Sequence, residues 1–429
     1  MAETSDKADL YILPEQLCIG LYVYLDLSWT QHPFTFSSFK IKSLDQIETI
    51  QTLGLSKIRY CAEKSDAPPL APPPADAPPP SADLTSRPAD QDPAFAIKRM
   101  RMERLDAQRA RAAACEKELL SAAKMVKSIS KDVFAKPDEV RESAKSLIAG
   151  MAASMLVDAD VSLQLMADKV GKEDVYYHAL NVCLLSMMLA KELKAPAAVI
   201  QQVGLGALFH DIGEVDIPER IVKSHEPLNK AEMALFQQHC EYGVAIGKKV
   251  GLPPEVLQVI MQHHEKVDGS GYPDRLKSAQ MSLLSRIVSL VNAYDELCNP
   301  SNPAKAMTPH EALSTMFAQQ RSQFDPLVLS TFVRCMGVYP PGTIVVLTNG
   351  AIGMVVSQNT SKPLRPVVLI HDAAVPRDEA VLVDLEQEPG VSITKTLRPQ
   401  QLSPEAHAYL APRKKTTYFF DTEGGHHGA

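Results

Sequence analysis

The chain of 429 residues has a single tryptophan, only 6% aromatic residues, and no apolar run long enough to span a bilayer. Its most apolar stretch, Val175 to Ala190, is interrupted by His178 and Asn181. An excess of positive charge is missing as well. Lys+Arg at 44 against Asp+Glu at 51 gives a formal charge of −7, so there is no basic field to hold DNA or RNA, and any polyanion must be bound locally. The seven cysteines (Cys18, Cys61, Cys115, Cys183, Cys240, Cys298 and Cys335) are scattered, odd in number and free of any CxxC pair. That pattern argues against a disulfide framework or zinc ribbon and fits a reducing compartment. The start, MAETSDKADL, lacks the basic and apolar regions of a secretory signal. The expectation is a soluble, cytoplasmic protein with no membrane partner.

Proline, by contrast, is plentiful at 32 residues and locally concentrated. Residues 1–64 read as a small α+β module, with β-rich runs at Gly20 to Leu25, Phe39 to Lys42 and Lys57 to Cys61 and a helical patch at Leu44 to Leu53. Residues 65–94 form a Pro/Ala-rich linker without apolar periodicity, an extended spacer for which an SH3-type ligand is the alternative. Over 95–170, Met102, Leu105, Leu119, Ala122 and Val126 recur at helical spacing. This predicts a helical connector that either mediates a homodimer as an arm or lies along the next domain. A long helical domain follows over 171–337, with helices expected around Asp174 to Ala190, Ile200 to Phe209, Lys230 to Val250, Pro254 to His264 and Leu283 to Cys298, the third opened by a capping box of Asn229 with Glu232. From Tyr339-Pro-Pro-Gly342 onward (338–429) the pattern predicts a small β module and a flexible tail. There the pair Asn349-Gly350 suggests a type I′ hairpin between Thr343–Thr348 and Ala351–Val356. The fold class is therefore mainly α, a helical bundle core flanked by two small modules.

The chemistry concentrates in the helical domain. Five of the twelve histidines fall there beside other potential ligands: His178, four residues after Asp174; the pair His210-Asp211 ending an apolar helix; His239; and the pair His263-His264. Imidazole and carboxylate together suit manganese, iron or zinc, and a set of this size can hold two or three ions. Burying so many imidazoles without a metal is costly. His225, His310, His371 and His407 read as ordinary solvated or hydrogen-bonded residues, and His426 and His427 as part of the tail.

These residues resemble the HD-GYP branch of the HD phosphohydrolase superfamily over about Asp174 to Met336. Its longest signature, HHExxDGxGYP, stands intact as His263-His-Glu-Lys-Val-Asp-Gly-Ser-Gly-Tyr-Pro273. The order of the remaining motifs is also similar: His210-Asp211 followed by Ile217-Pro218, His239 with Gly243, Arg286-Ile-Val, and Tyr294-Asp-Glu-Leu297. Ser28-Trp29, His32-Pro-Phe34 and the Tyr339-Pro-Pro-Gly342 segment look like regions flanking this domain in one bacterial subfamily.

The resemblance implies hydrolysis of the bacterial second messenger cyclic di-GMP with two or three divalent ions, iron or manganese. It makes His178, His210, Asp211, His239, His263 and His264 the metal ligands, with Asp174 joining where a third ion is bound and Asn292 at a further ligand position. His210, Asp211 and Glu214 would stand at the catalytic centre. In-line attack by hydroxide on a phosphodiester is the implied reaction, and a di-metal site both generates hydroxide near neutral pH and offsets the transition-state charge. Asp268, Gly271 and Tyr272 would line the substrate side, with Lys305 as a phosphate contact. The GYP loop is also a candidate surface for signalling partner proteins.

Three departures bear on activity. Where the family typically reads HDIGK, this chain has His210-Asp-Ile-Gly-Glu214, so a cation becomes a carboxylate. Beside a phosphodiester it would repel by about 1–4 kcal/mol, whereas beside a metal it offers an extra ligand. Asn292 stands where the family usually has an aspartate, and an amide cannot offset cationic charge. Asp295 sits about 4.5 Å further along the helix and is a poor substitute. The stretch Asn299-Pro-Ser-Asn-Pro-Ala-Lys305 keeps Lys305 but lacks the usual Arg and Tyr. Against the active enzyme stands a degenerate domain that binds nucleotide or a partner protein with little hydrolysis. An HD phosphohydrolase acting on another phosphoester is a third reading, which the intact GYP segment disfavours.

Overall fold

The computed structural model of the chain describes residues 10–27, 32–34, 36–72, 117, 120–157, 162–165, 174–359, 362–373, 375, 377, 380–388, 390–410 and 418–421. Trp29, the proline-rich segment beyond residue 72, the arm before residue 117, and His426 and His427 lie outside them. The described residues fall in two compact units. In the first, strands β1 (Leu10–Ile12), β2 (Tyr22–Tyr24), β3 (Ser38–Lys40) and β4 (Ile58–Tyr60) form an antiparallel sheet in the order β1-β4-β2-β3. Helix α1 (Leu44–Thr52) begins at Ser43, whose hydroxyl accepts from the Gln46 N–H. Ile12, Leu21, Val23, Ile41, Ile50 and Ile58 make the core of this unit.

The second unit is mainly helical. Residues 120–132 form α2, followed by α3 (Pro137–Val157), α4 (Asp174–Glu192) and α5 (Ala197–Phe209). Helix α5 is apolar on nearly every side, and Ile200 and Val203 through Phe209 are all buried, because it runs through the middle of the bundle. It packs against α3, α4 and two later helices, α9 (Pro254–Gln262) and α10 (Leu283–Cys298). The apolar stretch of α4 is likewise core, with Leu180 through Ala190 buried. No described helix is long and apolar enough to cross a membrane.

The intervening and following helices are α6 (Glu219–Val222), α7 (Lys230–Gln237), α8 (His239–Val250), α11 (Pro309–Ala318) and α12 (Pro326–Met336). The expected single helix from Lys230 to Val250 is divided at Gln238, and the break sets His239 at the head of α8. At the start of α7, Asn229 accepts from the N–H groups of Ala231 and Glu232 while Glu232 accepts from the Asn229 N–H, the expected capping box.

Strand β5 (Ser162–Leu165) departs from the helical connector expected over 95–170; its Leu163 and Leu165 alternate with polar Ser162 and Gln164, the period of a strand. It joins β6 (Ile344–Leu347), β7 (Ile352–Ser357), β10 (Ile393–Leu397) and β11 (Tyr418–Asp421) in an antiparallel path β10-β6-β7-β5-β11, and β8 (Val367–Ile370) pairs with β7. Strand β9 (Leu382–Asp384) and helix α13 (Pro404–Leu410) complete the described elements. The hairpin at Asn349-Gly350 forms, but not with a two-residue type I′ turn. Val346 pairs with Ile352, which leaves a longer loop where only Gly350 takes positive φ and the Asn349 side chain accepts from the Ala351 N–H. The side-chain bond substitutes for the second left-handed residue.

Asn229→Ala removes the side-chain acceptor of the Ala231 and Glu232 N–H groups at the start of α7, with an expected loss of about 1 kcal/mol in urea unfolding followed by circular dichroism.

Candidate metal centre

Helix α5 delivers the first pair of functional side chains. His210 is its C-cap and Asp211 follows in a short 3-10 turn, Ile212–Asp216. That turn packs on the start of α8 so closely that a Cβ on Gly213 would stand 2.0 Å from the His239 carbonyl oxygen and 2.5 Å from the Gly243 nitrogen. Only glycine fits there, and the contact brings His210-Asp211 next to His239. His263 is the C-cap of α9, one helix over from α5.

Three of these imidazoles are fixed in the same way. Nδ1 of His210, His239 and His263 donates to the carbonyl three residues earlier, Ala207 at 2.6 Å, Phe236 at 2.7 Å and Ile260 at 2.8 Å. Each bond answers an otherwise unpaired carbonyl at a helix end and leaves Nε2 carrying its lone pair. His178, on α4, is held from behind by Asp295 of α10, Nδ1 to Oδ2 at 2.7 Å. Asp295 is buried and also accepts from the side chains of Asn181 and Asn299. It is therefore an orienting partner of His178, a role the sequence pattern did not reveal.

The free nitrogens converge on Asp211. Its Oδ2 lies 2.9 Å from His210 Nε2 and 3.3 Å from His178 Nε2, while Oδ1 lies 3.3 Å from His263 Nε2 and 3.7 Å from His239 Nε2. Within each pair the Nε2 atoms face one another at 3.1 Å. Two lone pairs at that distance need a proton or cation between them. Donors adjacent on one ion with bonds of about 2.1 Å stand roughly 3.0–3.4 Å apart, so the spacing suits a metal. Two donor groups result, one of Asp211, His239, His263 and His264 and one of His178, His210 and Asp211. His210, His239 and His263 are fully buried, and Asp211 is 25% exposed.

The electrostatics agree with the geometry. Burial opposes ionisation of Asp211, but His210 and the hydrogen bonds from His178, His210 and His263 hold its carboxyl well below the usual range. Burial pushes His239 down to about 4 and lowers His263 and His264, so these imidazoles are neutral near pH 7 and available as donors. Burial also acts against the His178 imidazolium, yet Asp211 and Asp295 outweigh it and raise its pKa well above the ordinary value. For Glu214, burial first and then the Asp211 charge hold the carboxyl well above the usual range.

The loop after α9 closes over this group. Glu265 of the signature is fully buried and its carboxylate accepts from the N–H groups of Asp274 and Leu276, at 2.6 and 2.9 Å. A Cβ on Gly271 would meet Lys266 N at 2.4 Å and the His264 carbonyl at 2.5 Å, so glycine permits the backbone to fold back on itself. The Tyr272 ring consequently stacks on His264 with centroids 4.5 Å apart. Asp268 has a local task, its Oδ1 accepting from the Ser270 N–H and hydroxyl. Asn292 is buried; its Nδ2 donates to Glu296 and its Oδ1 has no hydrogen-bond partner. Lys305 is exposed in a short 3-10 turn and has no described polar contact with the cluster. Asp174 is the first residue of α4, and its side chain lies outside the described positions. His225 and His310 bond to the carbonyls of Ser301 and Val338, ordinary hydrogen-bonded histidines as expected.

Three family models match successive parts of the chain. Residues 151–328 match the HD domain, residues 11–144 a domain of unknown function (DUF3391), and residues 344–404 a KOW domain associated with HD domain. A cyclic di-GMP phosphodiesterase of Pseudomonas aeruginosa is 32% identical over 232 residues, 54% of this chain and 56% of that protein. The 3'3'-cGAMP-specific phosphodiesterase 2 of Vibrio cholerae is 26% identical over 190 residues, 44% of this chain and 34% of that protein. The chain thus spans about half the length, or less, of these curated relatives. Among solved structures, an HDG"Y"P protein from Bdellovibrio bacteriovorus is 15% identical with a TM-score of 0.39, covering 75% of this chain and 97% of that one. The helical part of the chain thus carries an HD domain, with a DUF3391 match before it and a KOW match after it, and the relatives that it matches include cyclic di-GMP phosphodiesterases.

Glu265→Gln leaves one acceptor for two backbone donors. We expect a loss of about 1–3 kcal/mol and faster amide exchange across residues 268–277, read by hydrogen-exchange mass spectrometry.

Proposed function

We propose that this chain is a metal-dependent phosphodiesterase acting on a cyclic dinucleotide, cyclic di-GMP, with a centre of two divalent ions, manganese or iron. The observation that carries the reading is the Asp211 carboxylate, which offers one oxygen to His178 and His210 and the other to His239 and His263. His178, His210 and Asp211 would hold one ion and Asp211, His239, His263 and His264 the second. Such ions neutralise a phosphodiester and lower the pKa of water to near neutrality. The protein's own part is orientation. Asp295 and the three helix-end carbonyls fix the ring tautomers, and the buried Glu265 clamps the loop that sets Tyr272 beside His264. That the Pseudomonas relative is named a cyclic di-GMP phosphodiesterase, while Vibrio relatives are named for 3'3'-cGAMP, supports a cyclic dinucleotide as substrate class.

Domain limits of 1–64, 65–94, 95–170, 171–337 and 338–429 accompany this reading, as do a third ion at Asp174, phosphate contacts from Lys305, partner binding at the GYP loop and dimerisation through the arm. A cytoplasmic place is supported by the free thiols of the described cysteines.

A specific feature favours a second reading, a nucleotide-binding or protein-interaction module with little hydrolysis. Glu214 stands beside Asp211, whose charge together with burial raises the Glu214 pKa, so this position offers a phosphate no cation and, once ionised, opposes it.

Elemental analysis and a cyclic di-GMP turnover assay decide between them. The purified wild type is expected to hold manganese or iron and to turn over substrate. Asp211→Ala should lose metal and activity by more than the roughly 10–100-fold typical of outer partners. Glu214→Lys should lower KM by about tenfold, or ~1.4 kcal/mol. A wild type that binds the nucleotide in calorimetry without turning it over supports the second reading.

A further inference from the structure

We propose that Arg286 is a positioning residue for the donor His264: it fastens both ends of the loop that carries Tyr272, and the Tyr272 ring holds the imidazole in place. The proposal rests on the metal-centre reading above and deepens it, because it names what orients a donor without a hydrogen-bonded anchor.

His178, His210, His239 and His263 each have Nδ1 tied to a carbonyl or carboxylate. Among the described residues, neither ring nitrogen of His264 makes such a bond, and the Glu296 carboxylate, 4.0 Å from Nδ1, is too far for one. His264 meets its fellow donors His239 and His263 at an angle, whereas Tyr272 stacks on it with centroids 4.5 Å apart and planes 21° from parallel. The orientation of this imidazole therefore depends on where the loop sets Tyr272.

The loop leaves the donor pair at Lys266 and Val267 and rejoins the bundle at Ser278 to Met281, just before α10. Arg286, in the first turn of α10, spans the outgoing end, with Nη2 donating to the carbonyls of Ser278 and Met281. Its Nη1 meets Asp325 Oδ2 at 3.0 Å. Asp325 ends the connection between α11 and α12, and the two residues before it take the incoming end of the loop. The Gln323 carbonyl accepts from the Val267 N–H at 2.9 Å, and the Lys266 ammonium lies 4.8 Å from the centroid of the buried Phe324 ring. The Ser278 N–H closes the circuit by donating to the Val267 carbonyl at 3.1 Å. One guanidinium thus ties both ends of the loop to a single segment, 323–325.

Arg286 is 23% exposed and Asp325 15%, so their pair is not the solvent-screened surface bridge that contributes little. A planar fork serves the three acceptors together, a geometry that the single ammonium of lysine cannot match. Glu265 holds the middle of the loop, at Asp274 and Leu276, and Arg286 holds its ends.

Amide exchange on the metal-free full chain and Mn2+ affinity, measured by competition with a chelating dye, test the two parts of the proposal. Arg286→Lys should speed exchange across residues 266–281, and Asp325→Asn should do the same while its amide oxygen keeps the α12 cap. Both should weaken one of the two Mn2+ sites. Tyr272→Leu should weaken that same site by about tenfold, as for other partners that orient a ligand, with exchange at Val267 and Ser278 unchanged. Arg286→Lys added to Tyr272→Leu should cost no further affinity, since the guanidinium acts through the ring. A merely structural arginine would lower affinity by the same factor in either background. Wild-type exchange in both Arg286→Lys and Asp325→Asn overturns the proposal, as does a loosened loop with wild-type Mn2+ affinity or full additivity in the double variant. If Asp211→Ala binds Mn2+ as the wild type does, it is the underlying metal-centre reading that fails, and the exchange comparison still judges the clamp.

Discussion

One carboxylate organises the helical unit. Asp211 faces four imidazoles drawn from α4, the end of α5, the head of α8 and the end of α9, and its two oxygens divide them into pairs. A side chain able to serve both pairs must sit where those helices meet, and that requirement explains the apolar α5, buried from Val203 to Phe209. The helix carries no function along its length. It places two residues at its end, in the middle of the protein.

Packing and chemistry are joined most tightly where glycine replaces a side chain. At Gly213 the backbone of the turn touches the backbone of α8, and at Gly271 the loop touches its own stem. In both places a methyl group would separate parts of the donor set by more than the few tenths of an ångström that ligand geometry tolerates. Glu265 does the complementary work through polar contacts, using a buried charge to hold two backbone N–H groups. A carboxylate inside a signature full of metal-binding residues thus serves the loop.

Much of this was visible in the residue pattern, for physical reasons. Apolar spacing marked α4, α5, α9 and α10, the Asn229 capping box marked the start of α7, and the adjacent pairs His210-Asp211 and His263-His264 marked the donors. Local rules sufficed there. They failed where long-range contact decides. Asp295, 117 positions further along the chain, is recognisable as the partner of His178 only once α10 packs on α4. Strand β5 stands alone in a helical neighbourhood and is explained by pairing with β11, far along the chain. The Asn349-Gly350 loop kept its place but changed its turn, because a side-chain bond took over from backbone conformation.

The histidine anchors at Ala207, Phe236 and Ile260 mean that three helices point their carbonyl ends toward the same cavity. Each such end carries roughly half a negative charge, added here to the carboxylate of Asp211. Carbonyl ends and a carboxylate gathered in this way favour a cation over a phosphate ester, so the same anchors that orient the rings also set the sign of charge that the site prefers.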